Sequence, residues 1–537
     1  MKESYVNLIN IRRQVFAEVA RLAFENVDLS ELRQSAYRIL PGEVATYRDS
    51  IFKERAILEE RLRLTMGLEG RKYTEYSAIT DGLDQLDLEE AHFTTPLVNV
   101  IPFACEACPT KSYLVTNNCR RCLAHPCTNV CPKNAVSIGK YGAVIDQDKC
   151  IKCGRCEETC PYNAIIHYDR PCASVCGVKA IDSDYLGRAH IDEKKCVACG
   201  RCLTQCPFGA IADKSQIYQL ARALSTKKNM YAIIAPSIIG QFGLLANPWQ
   251  IVEGIKRLGF NEVVEVSLGA DITTIREAKE YLEKVPEQIP YMGTSCCASW
   301  SMMVEKNFPN EYQYVSDSSS PMIETAKFLK NINPDAKITF IGPCLSKKLE
   351  AMSEKVKGYV DYVITFEELM GMFVAKDIEL TEIEITQEIQ DASSLGRGYA
   401  VAGGVAEAVK QTAMKLDPEK AIQVEGANSL HECVTMMRLA KAGKKNGYLL
   451  EGMACPGGCI AGPGTIASIN RVRKSVQKFM SESQFPTPLD NVNIKQTVET
   501  DLKELSDEIQ AYREKLKRQL EAEARACVSQ QKATRKE

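Results

Sequence analysis

The sequence has no excess of charge of either sign: 67 Lys and Arg stand against 69 Asp and Glu, a formal net charge of −2 over 537 residues. That balance gives no electrostatic reason to expect a nucleic acid or an anionic membrane as partner. A long apolar run is also missing. The most apolar stretch, Tyr231 to Ala246, falls short of the ~20 residues a spanning helix needs, and Pro236, Gly240 and Gln241 interrupt it. The opening residues, MKESYVNLINIRRQVF, show neither the continuous apolar core nor the cleavage-like site of a secretory signal. A cytoplasmic location is therefore expected. With 45% hydrophobic residues, wholesale disorder is excluded, and the length points to roughly three or four domains.

Cysteine is what the chain has in abundance. Twenty-three of them are too many for a reducing compartment unless something other than disulfides holds them. Sixteen lie between Cys105 and Cys206, in a fourfold repeat: Cys131, Cys160, Cys176 and Cys206 are each followed four positions later by Ala135, Ala164, Ala180 or Ala210. Two repeats are complete, Cys150, Cys153, Cys156, Cys160 with Pro161, and Cys196, Cys199, Cys202, Cys206 with Pro207. This is the ferredoxin run C-x2-C-x2-C-x3-C-P, in which three thiolates hold one 4Fe-4S cluster and the fourth reaches to another. A third copy, Cys119, Cys122, Cys127, Cys131, has two extra residues before its third ligand. The fourth is split, opening at Cys105 and Cys108 and closing at Cys172 and Cys176, with Gly177 where proline is usual.

The interleaving rule then predicts four accessory 4Fe-4S clusters. Cys119, Cys122 and Cys127 pair with Cys160; Cys150, Cys153 and Cys156 with Cys131; Cys196, Cys199 and Cys202 with Cys176; and Cys105, Cys108 and Cys172 with Cys206. Zinc also takes four thiolates, but zinc requires neither the shared fourth cysteine nor the trailing proline. His125, His167 and His190 fill no ligand vacancy and are expected to be structural, as is His92.

A wire of clusters needs a terminus. From Met230 on, YAIIAPSI, EVVEVSLG, ITFIGPC, YVDYVIT and YLLEGMAC read as buried strands, and ADITTIREAKEYLEKV and TFEELMGMFVAK as helices. This half is α/β with a substantial parallel sheet. Cys297, Cys344, Cys455 and Cys459 fall at or just beyond strand ends, where such folds place their sites. Together they offer four thiolates for a fifth cluster, with Gly457 and Gly458 allowing close backbone approach.

The segments TSCCASW (294–300), GPCLSKKLE (342–350) and EGMACPGGCIAGPG (451–464) resemble the three signature motifs of the iron-only (FeFe) hydrogenases. The resemblance implies two parallel-sheet lobes around an H-cluster, a 4Fe-4S cubane joined to a two-iron unit with CO, CN and a dithiolate carrying a bridgehead amine. Carried onto this chain, Cys297, Cys344, Cys455 and Cys459 would hold the cubane, with Cys459 bridging. Lys347 would hydrogen-bond a cyanide, Met453 would line the pocket, and Ala235, Pro236 and Ser237 would lie beside the dithiolate. Gly403 and Gly404 resemble a segment packed near the cluster. Protons would pass along Cys296, Glu277, Ser316 and Glu280, with Lys284 where an arginine is usual. An unperturbed thiol titrates near ~8.5, close enough to neutrality for a shuttle. Three further departures from the family pattern are Ala298 for proline, Gly342 for methionine and Pro463 within a glycine run. The Gly342 change is expected to remove a bulky side chain beside the two-iron unit.

The expected organisation is a helical region over 1–100, a ferredoxin-like module with four clusters over 101–225, the catalytic domain over 226–480 and a helical segment over 481–537, with one long amphipathic helix from Asp490 on. Cys433 and Cys527 are expected to be plain thiols. The function implied by the resemblance is reversible 2H⁺ + 2e⁻ ⇌ H₂. Its partners would be a soluble ferredoxin, since no flavin or nicotinamide fingerprint is visible, and hydrogenase maturation proteins. Alternatives are a hydrogen or redox sensor, a non-catalytic iron-sulfur relative, or a subunit of a larger electron-transfer complex.

Overall fold

The computed structural model describes residues 2–72, 74–83, 94–243, 245–386 and 388–499. His92 and Cys527 lie outside the described residues. In the cysteine-rich segment, β1 (Val98–Val100) pairs with β8 (Ile211–Asp213), and β6 (Ile181–Ser183) with β7 (Ala189–Ile191), all antiparallel. Between Cys108 and Cys172 a second unit is inserted: β2 (Ser112–Val115) pairs with β5 (Ile165–Tyr168), and β3 (Val136–Ile138) with β4 (Ala143–Ile145). The insert has its own small core, built on Tyr113, Val136, Ala143, Ile145 and Ile165. One ferredoxin-like unit is thus nested inside another, which is why the outer repeat is split in sequence.

The C-terminal half is built on two parallel sheets. The first has the order β10 (Glu262–Glu265), β9 (Met230–Ile234), β12 (Lys337–Ile341), β13 (Tyr362–Ile364). The second has the order β11 (Met292–Gly293), β15 (Tyr448–Gly452), β14 (Gln423–Ala427). Strands β9, β12, β13 and β15 are buried along most of their length, as expected for parallel strands covered on both faces. The predicted strand EVVEVSLG ends early. After Glu265 the chain turns into the helix Val266–Lys284, which crosses the helix Pro321–Ile332 so closely that a Cβ on Gly269 would lie 2.3 Å from the Pro321 carbonyl oxygen. Tertiary packing overrides the β-propensity of the segment.

Two more elements tie the halves together. The helix Lys2–Phe24 packs along the helix Phe366–Ala375, where a Cβ on Gly371 would meet Phe16 at 2.7 Å. Lys348, fully buried, binds Asp213 at the end of β8 and Glu368, both at 3.0 Å; its charge is compensated on both sides of the junction. At the other end, the helix expected from Asp490 on begins at Lys495. Pro488–Asp490 and Val492–Ile494 are single 3-10 turns, because the Asn491 side chain donates to Asp271 at 2.7 Å and to the Asp391 carbonyl at 2.9 Å, pinning the chain to the core.

Candidate functional site

The predicted cysteine quartets come together in space. Cys105, Cys108, Cys172 and Cys206 line one cavity, Cys119, Cys122, Cys127 and Cys160 a second, and Cys131, Cys150, Cys153 and Cys156 a third. Each is the set that the interleaving rule assigns. Cys176, Cys196, Cys199 and Cys202 are electrostatic neighbours of one another, and burial pushes the Cys199 thiol up to about 12. Among the described residues no three His, Cys, Asp or Glu side chains close around a point that one ion could occupy. Four thiols around one cavity are the donor set of an iron-sulfur cluster.

The repeated alanine has a physical reason. The amide N–H of Ala135, Ala164, Ala180 and Ala210 donates to Sγ of Cys131, Cys160, Cys176 and Cys206, at 3.2, 3.4, 3.2 and 3.3 Å. All four alanines are buried, so a larger side chain would press into the core beside each cluster. Such N–H···S bonds raise a cluster's reduction potential by stabilising charge on sulfur. The quartet Cys105, Cys108, Cys172, Cys206 has an added feature. Arg170 donates to the Cys108 carbonyl, Arg48 to the carbonyls of Ala104 and Phe208, and Arg61 to that of Gly209. Two of these three guanidinium groups come from the N-terminal region, for which the sequence suggested no role. Arg61 is buried, and desolvation lowers its pKa to about 10.

The set around Cys199 is seated on the C-terminal half. A Cβ on Gly200 would lie 2.6 Å from Pro463 and 2.7 Å from Leu345, the neighbour of Cys344. Ser346 Oγ donates to the Val197 carbonyl at 2.8 Å, and Lys306 Nζ to the Cys196 carbonyl at 2.6 Å. Cys199 is an electrostatic neighbour of both Cys344 and Cys455. Gly177 sits in the same joint: a Cβ there would meet Leu430 Cβ at 2.5 Å, so the usual proline has no room.

Beyond the joint, the ends of strands from both sheets converge. The chain leaves β11 into Thr294–Cys297, β12 into Gly342–Cys344 and β15 into Met453–Cys459. Burial, and then one another's charge, push Cys344 up to about 11, Cys459 to about 12, and Cys455 well above the ordinary thiol range. A cationic centre such as bound iron would favour the ionised form of Cys344, Cys455 and Cys459. Cys296, Cys297 and Met453 share one apolar wall with Ala270, Tyr399, Val405 and Ala408. Lys347 Nζ donates to the Cys296 carbonyl at 3.2 Å and to Glu350 at 2.5 Å. Ala235 continues from β9 beside Gly342, Pro236 opens the turn Pro236–Ile238, and Ser237 is fully buried there with no hydrogen-bond partner for its Oγ among the described residues. An orphaned hydroxyl in that place fits a polar group bound in the pocket. The site therefore accepts the implied cluster.

The tandem Gly403 and Gly404 do lie against the third motif. Glu451 accepts the N–H of Gly403 and Ala406, both at 2.8 Å, and Ala402 N–H reaches the Gly457 carbonyl at 3.1 Å. This also revises the reason for Gly458. Its φ is +92°, and a Cβ would lie 2.5 Å from Ala402 N, so the glycine accommodates the neighbouring backbone. The expectation for Gly342 is likewise corrected: a Cβ there would meet the Phe340 ring at 2.3 Å. The phenyl group fills the space that a methionine would take. Ala298 occupies the first turn of the helix Ala298–Asn307, where proline fits equally well because no N–H is needed.

The residues expected to carry protons fall into two separate hydrogen-bonded groups. Ser316 Oγ donates to Glu280 at 2.5 Å, and Lys284 binds the other Glu280 oxygen at 2.9 Å and Asp317 at 3.8 Å. Asp317 is 93% exposed, so this piece reaches solvent. Inside, the partner of Glu277 is Ser295, not Ser316: the Ser295 N–H and hydroxyl both donate to Oε1, at 2.7 and 2.8 Å. Glu277 Oε2 is buried and without a hydrogen-bond partner among the described residues. Burial pushes the Glu277 carboxyl up to about 7, against the opposing effect of Ser295. Cys296 also departs from expectation, since burial and then Glu277 push its thiol well above the ordinary range and keep it protonated. Sequence reasoning missed Ser295, although it adjoins Cys296. Cys433 is a buried thiol whose hydrogen bond goes to the Met453 carbonyl, as a plain structural cysteine. His167 stacks near Tyr113 and His190 meets Asp182, while His125 lines the Cys119 cavity.

Comparison with known proteins agrees with this geometry. The family described as "Iron only hydrogenase large subunit, C-terminal domain" matches residues 228–463. "LdpA Fe-S cluster-binding domain" matches 166–217 and "4Fe-4S binding domain" matches 143–166. The chain is 28% identical over 377 residues to iron hydrogenase 1 of Clostridium pasteurianum, covering 60% of this chain and 64% of that protein. It is 29% identical over 193 residues to the cytosolic Fe-S cluster assembly factor NAR1 of Kluyveromyces lactis, covering 34% of this chain and 40% of that one. The chain spans a little under two thirds of the length of the hydrogenase relatives it matches. A solved apo [FeFe]-hydrogenase from Chlamydomonas reinhardtii is 24% identical, with a TM-score of 0.46, over 53% of this chain and 94% of that one.

Proposed function

We propose that the chain, whose residues 228–463 match the family described as "Iron only hydrogenase large subunit, C-terminal domain", is an FeFe hydrogenase that interconverts protons, electrons and H₂. The observation that carries this reading is the gathering of Cys297, Cys344, Cys455 and Cys459 as neighbours of one another, with Cys296 and Met453 in the apolar wall beside Cys297 and Lys347 bonded to the Cys296 carbonyl. An H-cluster bound there would supply the redox chemistry at its two-iron unit. Cys297, Cys344, Cys455 and Cys459 would be the protein ligands that hold it.

The remaining work falls to side chains. Ser237, Lys347 and Met453 would orient and enclose the diatomic and dithiolate ligands. Cys296, held as a neutral thiol, would donate and recover a proton next to the pocket. Glu277, with its carboxyl balanced near neutrality, is suited to exchange that proton, and its unengaged Oε2 faces the task of passing it on toward Ser316. From Ser316 the route continues to Glu280, Lys284 and the solvent-exposed Asp317. Electrons would travel through four accessory 4Fe-4S clusters, the set of Cys176, Cys196, Cys199 and Cys202 being next to the catalytic cysteines. A soluble low-potential carrier in the cytoplasm would exchange electrons with the wire, and maturation proteins would install the two-iron unit.

The experiment is direct. The cluster-loaded chain is matured with the two-iron cofactor and assayed for H₂ evolution from a reduced low-potential dye, alongside an iron count before maturation. Five quartets call for about 20 irons per chain; no H₂ from a fully loaded protein would leave the non-catalytic reading, favoured by the similarity to an assembly factor.

A further inference from the structure

The nested ferredoxin-like insert carries an unusual surface. Residues 109–169 make up about a ninth of the chain, yet they contain Leu114, Leu123, Ile138, Tyr141, Val144, Ile151, Tyr162 and Tyr168, more than a third of the large hydrophobic residues exposed among the described residues. The insert also has eight Lys and Arg against five Asp and Glu, whereas the whole chain is slightly acidic. Neither feature is needed for its own core, which is satisfied by Tyr113, Val136, Ala143, Ile145 and Ile165.

Several of these side chains lie at one cysteine set. Arg120, Arg121 and Tyr162 line the cavity of Cys119, Cys122, Cys127 and Cys160. Arg121 donates to the Lys140 carbonyl at 2.9 Å, which brings the turn of β3 and β4 to the same rim. On that turn Lys140 lies over the ring of Tyr141 at 5.3 Å, and Gly142 is packed against Cys119. Leu123 is 96% exposed, Tyr141 87% and Tyr162 48%. Apolar tips ringed by cations with no carboxylate among them form a docking surface, and its position over cysteine ligands makes it a place where electrons can leave or arrive.

We propose that this rim is the port at which the accessory wire exchanges electrons with a small acidic protein carrying its own one-electron centre near the surface. Arg120, Arg121 and Lys140 meet the carboxylates of that partner, and Leu123, Tyr141 and Tyr162 exclude water between the two centres. The step transfers one electron from the reduced carrier to the cluster of Cys119, Cys122, Cys127 and Cys160, with no bond made or broken. The assignment rests on the electron-conduit reading above.

The test uses the full-length, cluster-loaded chain and two reductants, an acidic ferredoxin and methyl viologen, each prereduced and mixed anaerobically while the iron-sulfur absorbance is followed. Two variants are compared with the parent, Arg120→Glu/Arg121→Glu/Lys140→Glu and Leu123→Ser/Tyr141→Ser. The expected result is a fall of tenfold or more in the second-order rate with ferredoxin for both, with the charge variant also losing its salt dependence, and no change with methyl viologen. Unchanged ferredoxin rates would overturn the proposal, as would equal losses with the dye, or ferredoxin-insensitive variants that instead alter self-association or RNA binding. The readout is cluster reduction and needs no catalysis, so an absence of H₂ evolution in the parent would sink the hydrogenase reading without touching this one.

Discussion

Replacing Glu277 with glutamine should make the protein more stable and less active at once. Burial raises its carboxyl from an ordinary 4.5 to about 7 even though Ser295 donates two hydrogen bonds to it. The folded state therefore holds this proton more tightly than the unfolded chain does. The sign follows: stability is unaffected below about pH 4.5, declines as the pH rises toward 7, and stays reduced above it. At 1.36 kcal/mol per unit, the cost of the buried charge is roughly 3 kcal/mol. Glu277→Gln removes that cost but leaves amide N–H groups where Oε2 already lacks a partner, so a net gain of roughly 1–3 kcal/mol at pH 8 is expected. Loss of the exchangeable proton should lower dye-driven H₂ evolution by about 10²–10⁴-fold. Infrared difference spectra from pH 5 to 9 should show a carboxylic-acid carbonyl band disappearing near pH 7, absent in Glu277→Gln. A band that disappears below pH 6, or a variant with near-parental H₂ evolution, would refute the reasoning.

Three other expectations can be checked with the same material. Arg61→Gln removes a buried positive charge beside the Cys105, Cys108, Cys172, Cys206 set, so one cluster signal in an EPR-monitored redox titration should move to lower potential while the others stay. Gly177→Pro should loosen the seat of the cluster module on Leu430, since the new Cβ would lie 2.5 Å from that side chain; overpacking of this kind costs about 1–3 kcal/mol, and limited proteolysis between residues 170 and 230 should accelerate. Gly342→Met alone should destabilise the protein against the Phe340 ring, whereas Gly342→Met/Phe340→Ala should recover much of the loss, a coupling that a double-mutant cycle in thermal unfolding measures directly.

Much of the metal framework is legible in sequence because cluster ligation is local: the spacing of three cysteines within one turn, and a fourth displaced to the next repeat, determines which thiols meet. The alanine four residues after each closing cysteine is visible as a pattern, but its reason, the N–H···S bond, needs the backbone. Strands covered on both faces announce themselves as apolar runs, and β9, β12 and β15 do so. The two-residue β11 is too short to register, and β14 is half-exposed along most of its length, so neither has a periodic signal. Ser295 was missed as the partner of Glu277 because that contact joins different elements 18 positions apart. The role of Arg48 and Arg61 is invisible for the same reason, since the carbonyls they bind are distant in the chain.

The departures from the family pattern have a common physical cause that bears on function. Gly177 is tight against Leu430, Pro463 against Gly200, and Gly342 against Phe340. Two of these three contacts lie where the module of Cys176, Cys196, Cys199 and Cys202 meets the catalytic half, and the third refills the wall beside Ala235. Random drift would leave gaps in place of matched pairs. Here each odd residue has a neighbour shaped to it, and Lys306, Ser346 and Lys348 add hydrogen bonds across the same joint. Two of the three departures therefore belong to one recut joint between the cysteine-rich module and the C-terminal half, and the third is a local refilling of the wall beside Ala235.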